Sequence, residues 1–148
     1  MTPALLVATL GGAGRMKPAP GTWGSLVVLP LAWAGPWACL LGALLLTIGG
    51  YWAAGVVLAD ETEDPGWFVA DEGVGMLLAL AALPVATPHG VLVAFALFRL
   101  FDIAKPWPVS WADAQGGAFG VMADDILAGG IAAAILLGLV QFLPWMVT

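Results

Sequence analysis

The segment with the clearest chemical potential is FRLFDIAKPWP, residues 98–108, which ends an otherwise uncharged apolar run. Arg99, Asp102 and Lys105 follow one another at three-residue intervals. Residues three apart lie on neighbouring faces of a helix, so these charges form one short ridge. Charged side chains beside such an apolar segment are costly unless they bind something charged. The ridge therefore predicts an anion site, although pairing of the two cations with Asp102 at a helix end explains the spacing equally well.

Two pairs of adjacent acids, Asp71-Glu72 and Asp124-Asp125, each stand at the start of an apolar stretch. One carboxylate of each pair is explained by a helix N-terminus, where the helix dipole and free amides favour it. The second acid adds like-charge repulsion, which a hard divalent cation between the pairs would relieve. Small residues follow both pairs and let the two helices approach closely. We therefore favour a magnesium site over two paired helix caps.

The segment APGTWGS, residues 19–25, precedes a predicted helix. Gly21 permits a close backbone approach to a ligand, Thr22 and Ser25 offer hydroxyls, and the helix N-terminus offers amides to an anion. Taken alone, this segment is equally a plain turn and N-cap. Beside a cation ridge and a carboxylate metal site, it predicts part of a phosphate pocket. Carboxylates for magnesium, cations for phosphoryl oxygens and a glycine loop are the parts that phosphoryl transfer requires.

The composition is that of a membrane protein. Of 148 residues, 61% are hydrophobic and 9% are charged, and the mean hydropathy is +1.00. The net charge of -6, with only four lysines and arginines, excludes a nucleic-acid-binding surface, which needs clustered cations. We expect an all-α fold in a single domain, namely a small polytopic membrane helical bundle.

The order of apolar segments and of Gly or Pro breaks predicts where the helices lie. Helices are expected at about 3–10, 25–34, 37–59, 71–86, 91–104 and 124–144, with loops at 11–25 and 106–122. The segment 37–59 reaches about 33 Å and the last one has about 20 residues, so both can cross a bilayer. The others are short or partly inserted. The acidic cluster from Asp60 to Asp64 and the side chain of Asp113 are interpreted as solvated.

The positions of the charged residues predict the orientation. If successive segments run out and back, the turns at Gly35-Pro36 and at 87–90 lie on the same side as the C-terminus, and these places contain no Asp, Glu, Lys or Arg. All fourteen such residues then lie toward the opposite end. Because all four lysines and arginines are among them, the positive-inside rule makes that end cytoplasmic.

Four motifs occur in a fixed order along the chain: PGTWGSL at 20–26, DEGVGM at 71–76, FRLFDIAKPWP at 98–108 and DDILAG at 124–129. Together they closely resemble the phosphatidylglycerophosphatase A family, and the resemblance spans nearly the whole chain. The early segment GGAGRMKPAPGT departs somewhat from the family's pattern. The resemblance implies a magnesium-dependent enzyme of the bacterial inner membrane. Such an enzyme removes the terminal phosphate from the phospholipid phosphatidylglycerophosphate, giving phosphatidylglycerol and inorganic phosphate.

This interpretation gives each candidate residue a role. The magnesium ligands are Asp71, Glu72, Asp124 and Asp125. The phosphate-binding residues are Gly21, Thr22, Ser25, Arg99 and Lys105. The catalytic residues are Asp71, Asp102 and Asp125, where Asp102 either orients the cations or acts as base or nucleophile.

Two alternatives stay open at the level of the sequence. The spacing does not separate attack by a metal-activated water, which we favour, from a covalent aspartyl-phosphate. A small membrane transporter or channel with functional acids is the alternative class of protein. That class predicts Asp71 and Asp124 near the middle of a span, whereas the sequence places both at segment ends.

Overall fold

The computed structural model describes residues 1–59 and 65–148, and the regular elements in these ranges are all helices. The α-helices are α1 (Pro3–Ala8), α2 (Pro20–Val27), α3 (Pro36–Val57), α4 (Ala70–Leu80), α5 (Pro88–Ala104), α6 (Val109–Asp113) and α7 (Gly117–Phe142). Short 3-10 helices cover Leu10–Arg15, Leu29–Ala34 and Pro144–Met146. The all-α prediction is confirmed. The acidic cluster from Asp60 to Asp64, interpreted as solvated, lies outside the described residues.

Helix α4 lies at the centre of the bundle. It contacts α2, α3, α5 and α7, and nine of its eleven residues are buried. Because neighbours cover it on all sides, α4 carries small and apolar residues on every face rather than on one stripe. At about 16 Å it is too short to cross a bilayer. Its first turn carries Asp71 and Glu72.

Helices α4 and α7 touch at a pair of glycines. A Cβ atom on Gly129 would lie 2.3 Å from the carbonyl oxygen of Gly75, and one on Gly75 would lie 2.6 Å from the carbonyl oxygen of Asp125. The two backbones therefore meet with no side chain between them, as small residues permit in membrane helices. This contact brings the first turn of α4 toward the part of α7 that carries Asp125.

Within residues 1–59 and 65–148, two helices are long and apolar enough to cross a membrane: α3, with a mean hydropathy of 1.8, and α7, with 1.9. Only 22% and 28% of their most apolar windows are buried, whereas a core helix of a soluble protein is mostly buried. Helix α3 also exposes large apolar side chains along its length, among them Leu41, Leu44, Leu45, Ile48 and Trp52. These features fit a membrane protein.

Three chain segments meet at the end of the bundle away from the acids of α4. The hydroxyl of Thr87 donates to the carbonyl oxygen of Val147 at 3.2 Å, so the start of α5 lies against the C-terminus. Gly35 lines a cavity of about 260 Å³ together with Pro84 and Val85. The sequence predicts this arrangement, because helices that alternate in direction place these two turns and the C-terminus at the same end. The side of the membrane that each end faces stays a prediction.

Helix α2 begins at Pro20 rather than near Ser25. Proline is favoured at the first helical position, since its missing N–H is not needed there. Gly21, Thr22 and Ser25 therefore lie inside α2, and the prediction of a ligand loop before a helix at Ser25 is wrong. The hydroxyl of Ser25 donates to the carbonyl oxygen of Gly21 at 2.9 Å within the helix.

Helix α7 begins at Gly117 rather than at Asp124. Asp124 and Asp125 are its eighth and ninth residues, so the prediction that this pair opens a helix, and the capping explanation for it, are wrong. Asp71 and Glu72 are the second and third residues of α4, where the helix dipole favours carboxylates. No side chain of the described residues caps the start of α4 with a hydrogen bond. Helix α6 and a 3-10 helix also occupy parts of the two predicted loops. Helix α6 contains no glycine, and it buries Val109 and Ala112.

Candidate active site

Three carboxylates from two helices converge at one end of the bundle. Asp71 and Glu72 come from α4 and Asp125 comes from α7, and one oxygen of each lies within 4.8 Å of the others. Asp71 is 4% exposed and Asp125 is 3% exposed. We call these three side chains the acid cluster.

The acid cluster fits a metal ion by the chemistry of its oxygens. Glu72 Oε2 and Asp125 Oδ1 are buried, and no donor among the described residues reaches either atom. A buried carboxylate oxygen without a donor is costly unless a cation satisfies it. An all-oxygen set of ligands suits a hard divalent cation. The acid cluster is therefore a candidate metal centre.

Like charges around Glu72 add to this demand for a cation. Burial raises the pKa of Glu72 above its ordinary value, and the negative charge of Asp102 raises it further. A hydrogen bond with Asp71 and the positive charge of Arg99 act in the opposite direction without cancelling the shift. The acid cluster thus favours either an added proton or an added cation.

Asp124, the fourth predicted ligand, has other partners. Its Oδ2 accepts a hydrogen bond from Lys105 Nζ at 2.8 Å, and its Oδ1 accepts one from the Asp125 amide at 2.8 Å. Successive residues of a helix point about 100° apart, so two adjacent acids face different neighbours. The structure therefore does not bring Asp124 into the acid cluster.

The charged ridge on α5 divides between two sets of contacts. The Arg99 guanidinium donates through Nη1 to Asp102 Oδ2, and both side chains are largely buried. The pairing explanation is correct for these two residues, which are three positions apart. Lys105 turns away from Asp102 and contacts Asp113 and Asp124 instead.

Lys105 ends α5 with a left-handed backbone, at a φ of 45°. Partial burial lowers the pKa of its ammonium, but the hydrogen bonds and charges of Asp113 and Asp124 outweigh burial and raise that pKa above its ordinary value. Lys105 therefore keeps its positive charge.

Asp113, interpreted from the sequence as solvated, is half-exposed and ion-paired. No periodicity predicts this contact, because two prolines and a turn separate Asp113 from Lys105.

Gly21 brings α2 directly against this group of charges. A Cβ atom on Gly21 would lie 2.3 Å from Glu72 Oε1 and 3.3 Å from Arg99 Nη1. Gly21 thus lies beside both a carboxylate of the acid cluster and the guanidinium. Thr22, next in α2, is partly exposed. Ser25 is fully buried and uses its only proton within α2, so it has none to donate to a phosphate.

The chain matches a family model over most of its length. The model described as Phosphatidylglycerophosphatase A covers residues 6–140. The chain belongs to the phosphatidylglycerophosphatase A family. The resemblance inferred from the four motifs is confirmed, and the structure brings Gly21, Glu72, Arg99 and Asp125, one residue from each motif, to the same end of the bundle.

Curated relatives agree with the phosphatidylglycerophosphatase A model. A Haemophilus influenzae protein named Phosphatidylglycerophosphatase A is 39% identical, over 99% of this chain and 92% of that protein. An Escherichia coli protein of the same name is 38% identical, over 88% of this chain and 80% of that protein. A Bacteroides thetaiotaomicron protein provisionally named a phosphatidylinositol-3-phosphatase is 39% identical, over 84% of this chain and 86% of that protein. No solved structure matches the chain.

Membership of the phosphatidylglycerophosphatase A family makes the protein an enzyme, a phosphoric monoester hydrolase. It supports phosphatidylglycerophosphate phosphatase activity, and the transporter or channel alternative is not favoured. The acids of α4 also lie in its first turn, not in the middle of a span as that alternative predicts.

We expect Gly21→Ala to lower kcat/KM for a phosphatidylglycerophosphatase reaction by roughly 100-fold, because displacing a reactive group by about 1 Å has this effect. The new methyl group would displace the Glu72 carboxylate or the Arg99 guanidinium. Gly55→Ala on α3, where a Cβ meets open space, is the matched control and should retain full activity. Equal activity of the two variants would show that the contact at Gly21 does not shape the site.

Proposed function

We propose that this single-domain protein is a magnesium-dependent phosphatidylglycerophosphatase of the bacterial inner membrane. It hydrolyses phosphatidylglycerophosphate to phosphatidylglycerol and inorganic phosphate. The observation that carries this proposal is the acid cluster beside the Arg99 guanidinium, with Gly21 packed against both, in a chain of this family. Carboxylates that hold a cation and cations that hold phosphoryl oxygens are what phosphomonoester hydrolysis requires.

Asp71, Glu72 and Asp125 are the proposed magnesium ligands. When bound, the ion supplies charge stabilisation for the phosphoryl oxygens and lowers the pKa of a water molecule. The geometry supports three ligands rather than the four predicted from the sequence, because both oxygens of Asp124 accept other hydrogen bonds. We assign Asp124 to the positioning of Lys105.

Arg99 and Lys105 are the proposed phosphate-binding cations. A guanidinium has five N–H donors and an ammonium has three. The contact of Arg99 with Asp102 therefore leaves guanidinium donors for a phosphate. The contact of Lys105 with Asp124 leaves ammonium donors, for which a phosphate competes with Asp113. Gly21 allows the phosphate-binding groups to pack closely, and the next residue, Thr22, is partly exposed and carries a hydroxyl.

Water is the proposed nucleophile, and Asp102 the residue that orients Arg99. Asp102 Oδ2 accepts a hydrogen bond from Arg99, which supports an orienting role over covalent attack on phosphorus. In hydrolysis, the water oxygen forms a bond to phosphorus as the bond to the lipid oxygen breaks. The products are inorganic phosphate and the lipid alcohol.

The proposed location follows from charge and apolar surface. Two helices fit a membrane protein, and the turns Gly35, Thr87 and the C-terminus meet at the end without Lys or Arg. The positive-inside rule then supports a multi-pass protein whose site faces the cytoplasm.

Purified protein in mixed micelles should release inorganic phosphate from phosphatidylglycerophosphate when magnesium is present. Chelation should lower the rate by at least roughly 100-fold, and added magnesium should restore it. Phosphatidylinositol 3-phosphate is a useful second substrate, since one relative carries that name. Release that survives chelation would contradict the metal proposal. No release from phosphatidylglycerophosphate under either condition would contradict the proposed function.

A further inference from the structure

The Lys105 ammonium lies between two carboxylates of very different exposure. It donates to Asp124 Oδ2 at 2.8 Å and also to Asp113 Oδ1. The Asp124 side chain is 6% exposed and the Asp113 side chain is 49% exposed. One of the two contacts is therefore inside the protein, and the other is at its surface.

The two ion pairs differ in what happens when they break. Asp124 would keep an uncompensated charge in a buried environment, whereas Asp113 would regain contact with water. Asp124 is also fixed by the hydrogen bond from the Asp125 amide. Lys105 is therefore held firmly by Asp124 and loosely by Asp113.

Asp113 does not have to pair with Lys105 for its own helix to stay in place. It is the last residue of α6, which packs against α7. Val109 and Ala112 of α6 are fully buried, and the Gln115 side chain donates to the Trp111 carbonyl oxygen at 2.9 Å. The packing of α6 thus keeps the Asp113 carboxylate near Lys105 while its ion pair opens and closes.

We propose that Asp113 is a placeholder for the phosphate group at Lys105, an inference that rests on the proposed phosphate-binding role of Lys105. Asp113 occupies the ammonium when no phosphate is bound, and a phosphoryl oxygen replaces it while the contact with Asp124 persists. A terminal phosphomonoester has a charge between about -1.5 and -2 at neutral pH, so it competes well against a single carboxylate. The phosphodiester that remains on the lipid product has one negative charge, and it competes less well.

Because Asp113 competes with phosphate for Lys105, removal of the Asp113 carboxylate should strengthen the binding of phosphate. In Asp113→Asn, the Michaelis constant for phosphatidylglycerophosphate and the inhibition constant of inorganic phosphate should both fall about two- to fivefold, the range expected for losing one exposed competing ion pair. The value of kcat should stay within about twofold. Asp113→Glu restores the competing charge and should return both constants toward those of the unmodified enzyme.

Two further variants test whether the effect acts through Lys105. Gln115→Ala removes a side-chain contact of the same segment without touching the ammonium, and it should leave both constants unchanged. In a Lys105→Met background, Asp113→Asn should have no further effect on phosphate inhibition. A further effect there would overturn the proposal, because the competition is for that one ammonium.

The remaining outcomes separate this proposal from the proposed function. Inhibition by inorganic phosphate that is unchanged or weaker in Asp113→Asn would overturn the placeholder role, even if the enzyme is fully active. A loss of kcat with unchanged phosphate inhibition would indicate a structural role and overturn it too. Failure of the unmodified protein to hydrolyse phosphatidylglycerophosphate with magnesium would instead contradict the proposed function.

Discussion

Replacing Asp125 by Asn should lower kcat for phosphatidylglycerophosphate by at least about 1,000-fold, the size of effect expected when a charged group central to transition-state stabilisation is removed. Asp125 is 3% exposed, and its Oδ1 accepts no hydrogen bond from any residue in the described ranges. The amide keeps the volume of the side chain but lacks the charge that would hold a cation. Phosphate release with saturating magnesium measures the effect.

The same variant should remain folded, which separates lost chemistry from lost structure. Removing one negative charge from the acid cluster relieves repulsion, so the melting temperature without magnesium should stay the same or rise. We expect magnesium to raise the melting temperature of the unmodified protein, and this increase should be absent from the variant. Substantial remaining activity, or an unchanged magnesium effect on melting, would remove Asp125 from the proposed metal site.

Gly129→Ala should lower activity by roughly 100-fold and also lower the melting temperature. The new methyl group would lie 2.3 Å from the Gly75 carbonyl oxygen and 2.7 Å from the Gly75 Cα. These are backbone atoms that no rotamer change can move aside, so α4 and α7 must separate. Separation moves Asp71 and Glu72 away from Asp125, and a displacement of about 1 Å is enough for an effect of this size.

Gly130→Ala is the matched control for that prediction. It changes the next residue of the same helix, but a Cβ there meets nothing within 4 Å. Alanine is favoured over glycine in a helix by up to about 1 kcal/mol, so this variant should be fully active and at least as stable. Activity and melting measured in parallel on both variants test the idea. Similar behaviour of the two would mean that the contact between α4 and α7 does not set the geometry of the site.

The sequence predicted that several candidate residues come together, but it did not predict their local structure. Charged residues are few in this apolar chain, so the two adjacent acid pairs and the regularly spaced charges that begin at Arg99 stood out as candidates. Gly21 was included among the candidates for a ligand loop, whereas in the structure it packs closely against Glu72 and Arg99 from inside a helix. The small residues after each acid pair correctly predicted the close approach of α4 and α7.

The sequence pattern did not predict which neighbours the side chains face. Asp124 and Asp125 are adjacent and chemically alike, and the packing of α7 against α4 determines which one faces α4. Gly129 contacts Gly75 of α4, and Asp125 lies four residues before Gly129 on the same face of α7. The partner of Lys105 depends on the path of the chain through two prolines and α6, which no periodicity describes. Glycine-rich residues 116–120 also predicted a loop, whereas contacts between α6 and α7 stabilise a helix there.

The length of α7 has a consequence for how the enzyme meets its lipid. With 26 residues, α7 is about 39 Å long, and Asp125 lies about 12 Å from its start and about 26 Å from its end. Since the hydrocarbon layer is about 30 Å thick, a spanning α7 would carry Asp125 to the depth where acyl chains give way to glycerol and phosphate. A phospholipid could then be dephosphorylated while its tails stay in the leaflet, so that lateral diffusion, rather than extraction into water, would deliver it.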